Sequence, residues 1–64
     1  MKIIKEYRQK LNLRQEDLAR LLKVDRSTVA KWENGESTPR TNMLPKIAEI
    51  LSCKIADLFF YPEK

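Results

Sequence analysis

The sequence predicts an all-α fold, a compact bundle of five short helices with short connections throughout. Three observations lead there. Apolar residues recur at helical spacing in five separate segments. The single glycine and the three prolines work as punctuation around those segments. No repeat, low-complexity stretch or linker interrupts them.

The first helix is expected over residues 3–11, with Ile3, Ile4, Tyr7 and Leu11 on one face, and Asn12 follows as a residue that tolerates the left-handed conformation ending helices. The second runs from Gln15 to Leu22, with Leu18, Ala19, Leu21 and Leu22 as its apolar side and with Glu16 and Asp17 in the first turn, where the helix dipole favours acids. Asp25 is a good N-cap for a third helix, Arg26 to Asn34, which Gly35 ends. Glu36 to Thr41 reads as a loop containing Pro39. A fourth helix is expected from about Met43 to Leu51, capped by Asn42, with Pro45 tolerated in its first turn and Leu44, Ile47, Ala48 and Leu51 buried. A short fifth helix, Ile55 to Phe60, precedes Pro62.

Composition bounds what such a bundle does. Sixty-four residues make one domain, residues 1–64, with a small core and no room for a substrate-sized cavity. No apolar run approaches eighteen residues, and charges break up the N-terminal MKIIKEYRQK, so neither a membrane span nor a signal peptide is expected. Cys53 is the single cysteine and there is no histidine, which removes an intrachain disulfide, makes a zinc site unexpected and points to a reducing, cytoplasmic setting. No cofactor is expected. Asp17 and Glu33 make no catalytic pair, because no cleft, metal-ligand set or nucleophile accompanies them, and no enzymatic activity is expected. The net charge is +4. Residues 1–14 hold Lys2, Lys5, Arg8, Lys10 and Arg14 against Glu6, whereas the remaining fifty residues hold eight charges of each sign. That excess suits a polyanionic partner. Lys2, Lys5 and Lys10 themselves read as a solvated helix face.

The centre of the chain is the informative part. Two short helices separated by Lys23, Val24 and Asp25 must cross steeply, with Ala19 as the small residue at the crossing and Val24 plugging the elbow. Projected at about 100° per residue, the third helix points Val29 and Trp32 inward, so Trp32 reads as core rather than as a stacking platform for bases. Arg26, Ser27, Ala30, Lys31 and Asn34 fall on the opposite face. Polar tips around one small residue suit a helix entering a DNA major groove, where the backbone approaches closely and side chains reach base edges. Taken alone, the same face also fits an ordinary solvated surface.

The order and spacing of Arg8, Leu13, Gln15, Asp17, Leu18, Ala19, Leu22, Val24, Ser27, Thr28, Val29, Trp32, Glu33, Asn34, Gly35 and Pro39, then of Leu44, Ile47, Ala48, Leu51, Ile55 and Leu58, resembles the phage-repressor-like (Cro and repressor, or Xre) helix-turn-helix family over nearly the whole chain. The resemblance implies a lambda-repressor-like DNA-binding domain acting as a transcriptional regulator, usually a homodimer on operator DNA. It implies that Arg26, Ser27 and Lys31 face base edges. It implies backbone contacts from Gln15, Thr28, Asn34 and Arg40, to which Arg8 is added. Arg8 and Glu33 are implied to form a partly buried ion pair tying the first helix to the third. The resemblance implies dimer contacts that start near Ile55, with the loop around Pro39 and Arg40 alongside, and Ile55, Phe59, Phe60 and Tyr61 cannot all share so small a core, which makes them the expected interface.

Departures from the family pattern are also visible. Lys23 stands where the family prefers glycine, Arg14 and Lys54 stand where a Ser or Thr cap is usual, and Asp25 brings a negative charge near the DNA. Cys53 is expected to be buried and inert. The rival reading is an antitoxin-type or other protein-interaction module with secondary DNA binding. RNA readers usually present aromatic platforms or strands, and none is evident.

Overall fold

A computed structural model describes residues 1–59. The expected Phe60 and Tyr61 contacts lie outside these residues, as does the last residue of the expected fifth helix. The elements are α1 (Lys2–Lys10), α2 (Gln15–Leu22), α3 (Arg26–Asn34), a 3-10 turn (Thr41–Met43), α4 (Leu44–Ile50) and α5 (Ile55–Phe59). All are helical, so the all-α expectation holds.

The core is assembled from the inward stripe of every helix. Ile3 and Ile4 come from α1, Leu18, Ala19 and Leu22 from α2, and Val29 and Trp32 from α3. Leu44, Ile47, Ala48, Leu51 and Leu58 complete it, and all twelve are buried. Ala19 is 3% exposed where α2 packs on α3, as a close crossing requires. Val24 is partly buried against the same cluster. A core this small leaves little surplus stability, so the devices at the helix ends matter.

Four helices end in one way. Asn12, Lys23, Gly35 and Ser52 all have positive φ, at 58°, 60°, 82° and 58°. Their N–H groups donate to the carbonyls of Gln9, Arg20, Trp32 and Glu49, and the following N–H groups of Leu13, Val24, Glu36 and Cys53 donate to Arg8, Ala19, Lys31 and Ala48. These are Schellman endings, which occupy carbonyls the helix leaves free. Only one of the four uses glycine, so three carry a side chain in a conformation that costs a residue with a Cβ about 1–2 kcal/mol.

Two helix starts share another device. Arg14 and Lys54 precede α2 and α5, and neither side chain can accept a hydrogen bond. Asp17 and Asp57, three residues on, reach back instead and accept the backbone N–H of Arg14 (2.9 Å) and Lys54 (3.0 Å). Half of the usual capping box is thereby kept.

Several expectations need correction. α1 stops at Lys10, and Leu11, at its C-cap, is 42% exposed at the end of the helix, past the reach of the core. Leu21 lies at the rim of α2's apolar side and is 49% exposed. Asn42 sits inside the 3-10 turn and caps nothing; Met43 is the residue before α4, and Pro45 stands in its first turn, where it has no hydrogen bond to lose. Asp25 occupies the N-cap position of α3, yet its carboxylate makes no capping hydrogen bond. Cys53 is half-buried rather than buried, and its thiol is pushed up by that burial and by the negative charge of Asp57.

Candidate nucleic-acid interface

The interface is built outward from one buried pair. Arg8 rises from α1 and Glu33 from the last turn of α3. The guanidinium meets the carboxylate side-on, Nε to Oε2 at 2.7 Å and Nη2 to Oε1 at 3.0 Å. Arg8 Nη1 donates to the Leu13 carbonyl at 2.7 Å. The side chains are 9% and 2% exposed. A charge so poorly solvated is tolerable only with a partner this well matched. The expected ion pair is therefore present. The added expectation that Arg8 touches the DNA backbone does not fit, since each of its nitrogens is engaged inside the protein and the residue is 8% exposed.

Glu33 has a second partner. Its Oε1 also accepts from Gln15 Nε2 at 3.0 Å, which draws the first side chain of α2 onto α3. The other end of that amide, Gln15 Oε1, accepts from Arg26 Nη1 at 3.3 Å. Four residues from three helices thus form one chain of hydrogen bonds, Arg8 to Glu33 to Gln15 to Arg26, running from interior to surface. Sequence reading joins Arg8 to Glu33 through the family pattern. It does not join Gln15 to Glu33 or Arg26, because contacts between elements leave no trace in either helix's periodicity.

The side chains expected at bases and phosphates are distributed around the end of this chain. Arg26, Ser27, Lys31 and Asn34 are exposed on α3, with Thr28 and Ala30 half-buried at their flanks. Arg40 is exposed in the loop, next to a buried Pro39 that holds the loop to the body. Val29 and Trp32 fill the opposite face of α3, at 0% and 3% exposure. Arg26, Ser27, Lys31 and Asn34 are therefore not part of the core, whereas Ala30, expected on their face, is partly covered.

Arg14 and the first turns of α2 form a tight charge cluster. Asp17 accepts from the Arg14 guanidinium at 3.2 and 3.3 Å and from Arg20 Nη2 at 2.8 Å, while Arg14 also pairs with Glu16 at 3.1 Å. The Arg14 side chain, then the Arg14 backbone N–H, then Arg20 hold the Asp17 carboxyl at about 2, well below its ordinary 3.8. On α1, Lys10 Nζ stands 5.0 Å from the centre of the Tyr7 ring, and partial burial raises the Tyr7 hydroxyl above its ordinary value.

Comparison with known proteins agrees with this geometry. The helix-turn-helix family model matches residues 4–58. The chain is 39% identical over 61 residues to an uncharacterized HTH-type transcriptional regulator of Archaeoglobus fulgidus, covering 95% of this chain and 86% of that one. It is 42% identical over 60 residues to another from Methanocaldococcus jannaschii, covering 94% and 91%. It is 42% identical over 53 residues to the 26 kDa repressor protein of Escherichia phage HK022, covering 83% of this chain and 23% of that protein. No solved structure matches significantly. The chain belongs to the helix-turn-helix family of DNA-binding transcriptional regulators, of the Cro and repressor type.

Proposed function

We propose that this protein is a sequence-specific repressor, active in the cytoplasm, that inserts α3 into the major groove of a palindromic operator as a homodimer. Arg26 and Lys31 donate to guanine acceptors, and Ser27 serves as a short hydrogen-bonding group beside them. Gln15, Thr28, Asn34 and Arg40 hold backbone oxygens, which sets register without reading sequence directly. The whole chain, residues 1–64, acts as one DNA-binding domain.

The observation that carries this reading is the exposed polar face of α3 lying beside Gln15 at the start of α2. Selection of bound sequences from random duplex DNA tests it. A palindromic consensus is the expected result, with half-sites about one helical turn apart. Recovery of no consensus, with binding equal across sequences, would overturn it.

A further inference from the structure

We infer that Glu33 is a positioning residue for base readout: through Gln15 it fixes the direction of the Arg26 side chain. The inference rests on the proposed role of Arg26 at base edges. It adds that the buried ion pair and the reading side chain are one device.

A guanidinium has only donors and an ionised carboxylate only acceptors, whereas an amide has one end of each kind. Arg8 therefore fixes Glu33 by two bonds, at 2.7 and 3.0 Å. Glu33 Oε1, still open to a further donor, takes Gln15 Nε2 at 3.0 Å. That choice leaves no freedom in the amide: its nitrogen points inward and its oxygen outward. The outward oxygen is an acceptor, and Arg26 Nη1 lies 3.3 Å from it. Turned the other way, the same amide would present N–H groups to a cation and repel it.

The consequence is a division of labour at Gln15. One amide N–H serves Glu33, and the second remains for a phosphate. Arg26 is exposed, so this bond is weak in water. It strengthens as DNA excludes solvent from the site. Arginine carries a large rotamer entropy, and one fixed nitrogen lowers what remains to be lost when the rest of the fork meets a base.

The test is a panel of single-substituted operator duplexes titrated with defined variants. Arg26→Ala identifies the base pair that Arg26 reads. Gln15→Met keeps length and removes both amide ends. It is expected to reduce discrimination at that same base pair by about tenfold, within what one bidentate side chain supplies, and to add nothing when combined with Arg26→Ala. Arg8→Met/Glu33→Leu replaces the buried pair by apolar groups, a change often tolerated by folds, and is expected to lose the same discrimination. Arg8→Met/Glu33→Gln keeps an acceptor oxygen for Gln15 and is expected to restore most of it. A purely structural role would weaken all duplexes alike. Uniform weakening by Gln15→Met, with the base profile intact, would overturn the inference while leaving Arg26 as a reader. This arm does not depend on the double variants folding. An unchanged profile in Arg26→Ala would instead overturn the readout assignment on which the inference rests.

Discussion

Arg8 and Glu33, twenty-five residues apart in sequence, share two hydrogen bonds across the seam between α1 and α3. The charges are nearly sealed from solvent, at 9% and 2% side-chain exposure. The pair fixes α3, with its exposed polar face, to the helix that opens the chain.

Removing one partner leaves the other charge buried and unpaired, which costs about 3–5 kcal/mol. A domain of this length has about 3–10 kcal/mol in total. Thermal melts of Arg8→Met and Glu33→Gln are therefore expected to show large losses in Tm, or no cooperative transition at all. The double variant Arg8→Met/Glu33→Leu is expected to melt above either single one, since no lone charge remains. Wild-type midpoints in both single variants would mean that the pair holds nothing together.

Asp17 gives the stability a pH dependence. Its folded value of about 2 lies below the ordinary 3.8. For a depressed carboxyl the stabilisation is present above about pH 4 and is lost as pH falls through the folded value. Asp17→Asn is expected to melt below wild type at pH 7, with the two midpoints converging between about pH 4 and pH 2. The cluster is solvent-facing, so added salt narrows the gap. A carboxyl resonance of Asp17 titrating near 3.8 by NMR would mean that Arg14 and Arg20 do not hold it.

Lys23 and Gly35 end α2 and α3 in the same left-handed conformation, at φ of 60° and 82°. Lysine bears the Cβ penalty there, while its charge near a helix C-terminus returns part of it. Lys23→Gly is expected to stabilise by about 0.5–1 kcal/mol, a Tm rise of about 2–8 °C for a domain this small. Gly35→Ala is expected to act oppositely, costing about 1 kcal/mol through backbone strain alone, since nothing lies within 4 Å of the added carbon. Equal midpoints in Lys23→Gly and wild type would place the cost of the turn elsewhere.

These residues also show how far the sequence is readable. The limits of α2 and α3 follow from it because local signals bracket them: acids in the first turn of α2, Asp25 before α3 and Gly35 after it. The ending at Ser52 is not legible, because serine carries no marked preference for positive φ, although the N–H groups of Ser52 and Cys53 close the turn onto Glu49 and Ala48. Leu11 and Leu21 fail for a different reason. Periodicity assigns a side chain to a face, but whether a neighbour reaches that far along the helix is a tertiary fact. The site divides likewise. The outward face of α3 is a local property and was readable. The Gln15 contacts to Glu33 and Arg26 depend on how α2 and α3 cross.

Dimerisation through α5 is the last expectation. One short recognition helix covers too few base pairs to select a site in a genome, whereas two copies on a two-fold axis read a palindrome. Leu58 is 3% exposed and belongs to the core, while Ile55, one helical turn earlier, is 40% exposed. An apolar side chain this exposed is available to a second copy. Ile55 is also the first residue of α5, where the helix dipole favours an acid. Ile55→Asp is therefore expected to change the stability of the monomer by no more than about 0.5 kcal/mol. It is expected to abolish cooperative binding to a palindromic duplex. Sedimentation of the wild-type complex should give two protomers per duplex, and that of Ile55→Asp one. Two protomers bound cooperatively in Ile55→Asp, with a wild-type melt, would exclude Ile55 from the interface; one protomer per palindrome in the wild type would exclude the dimer itself.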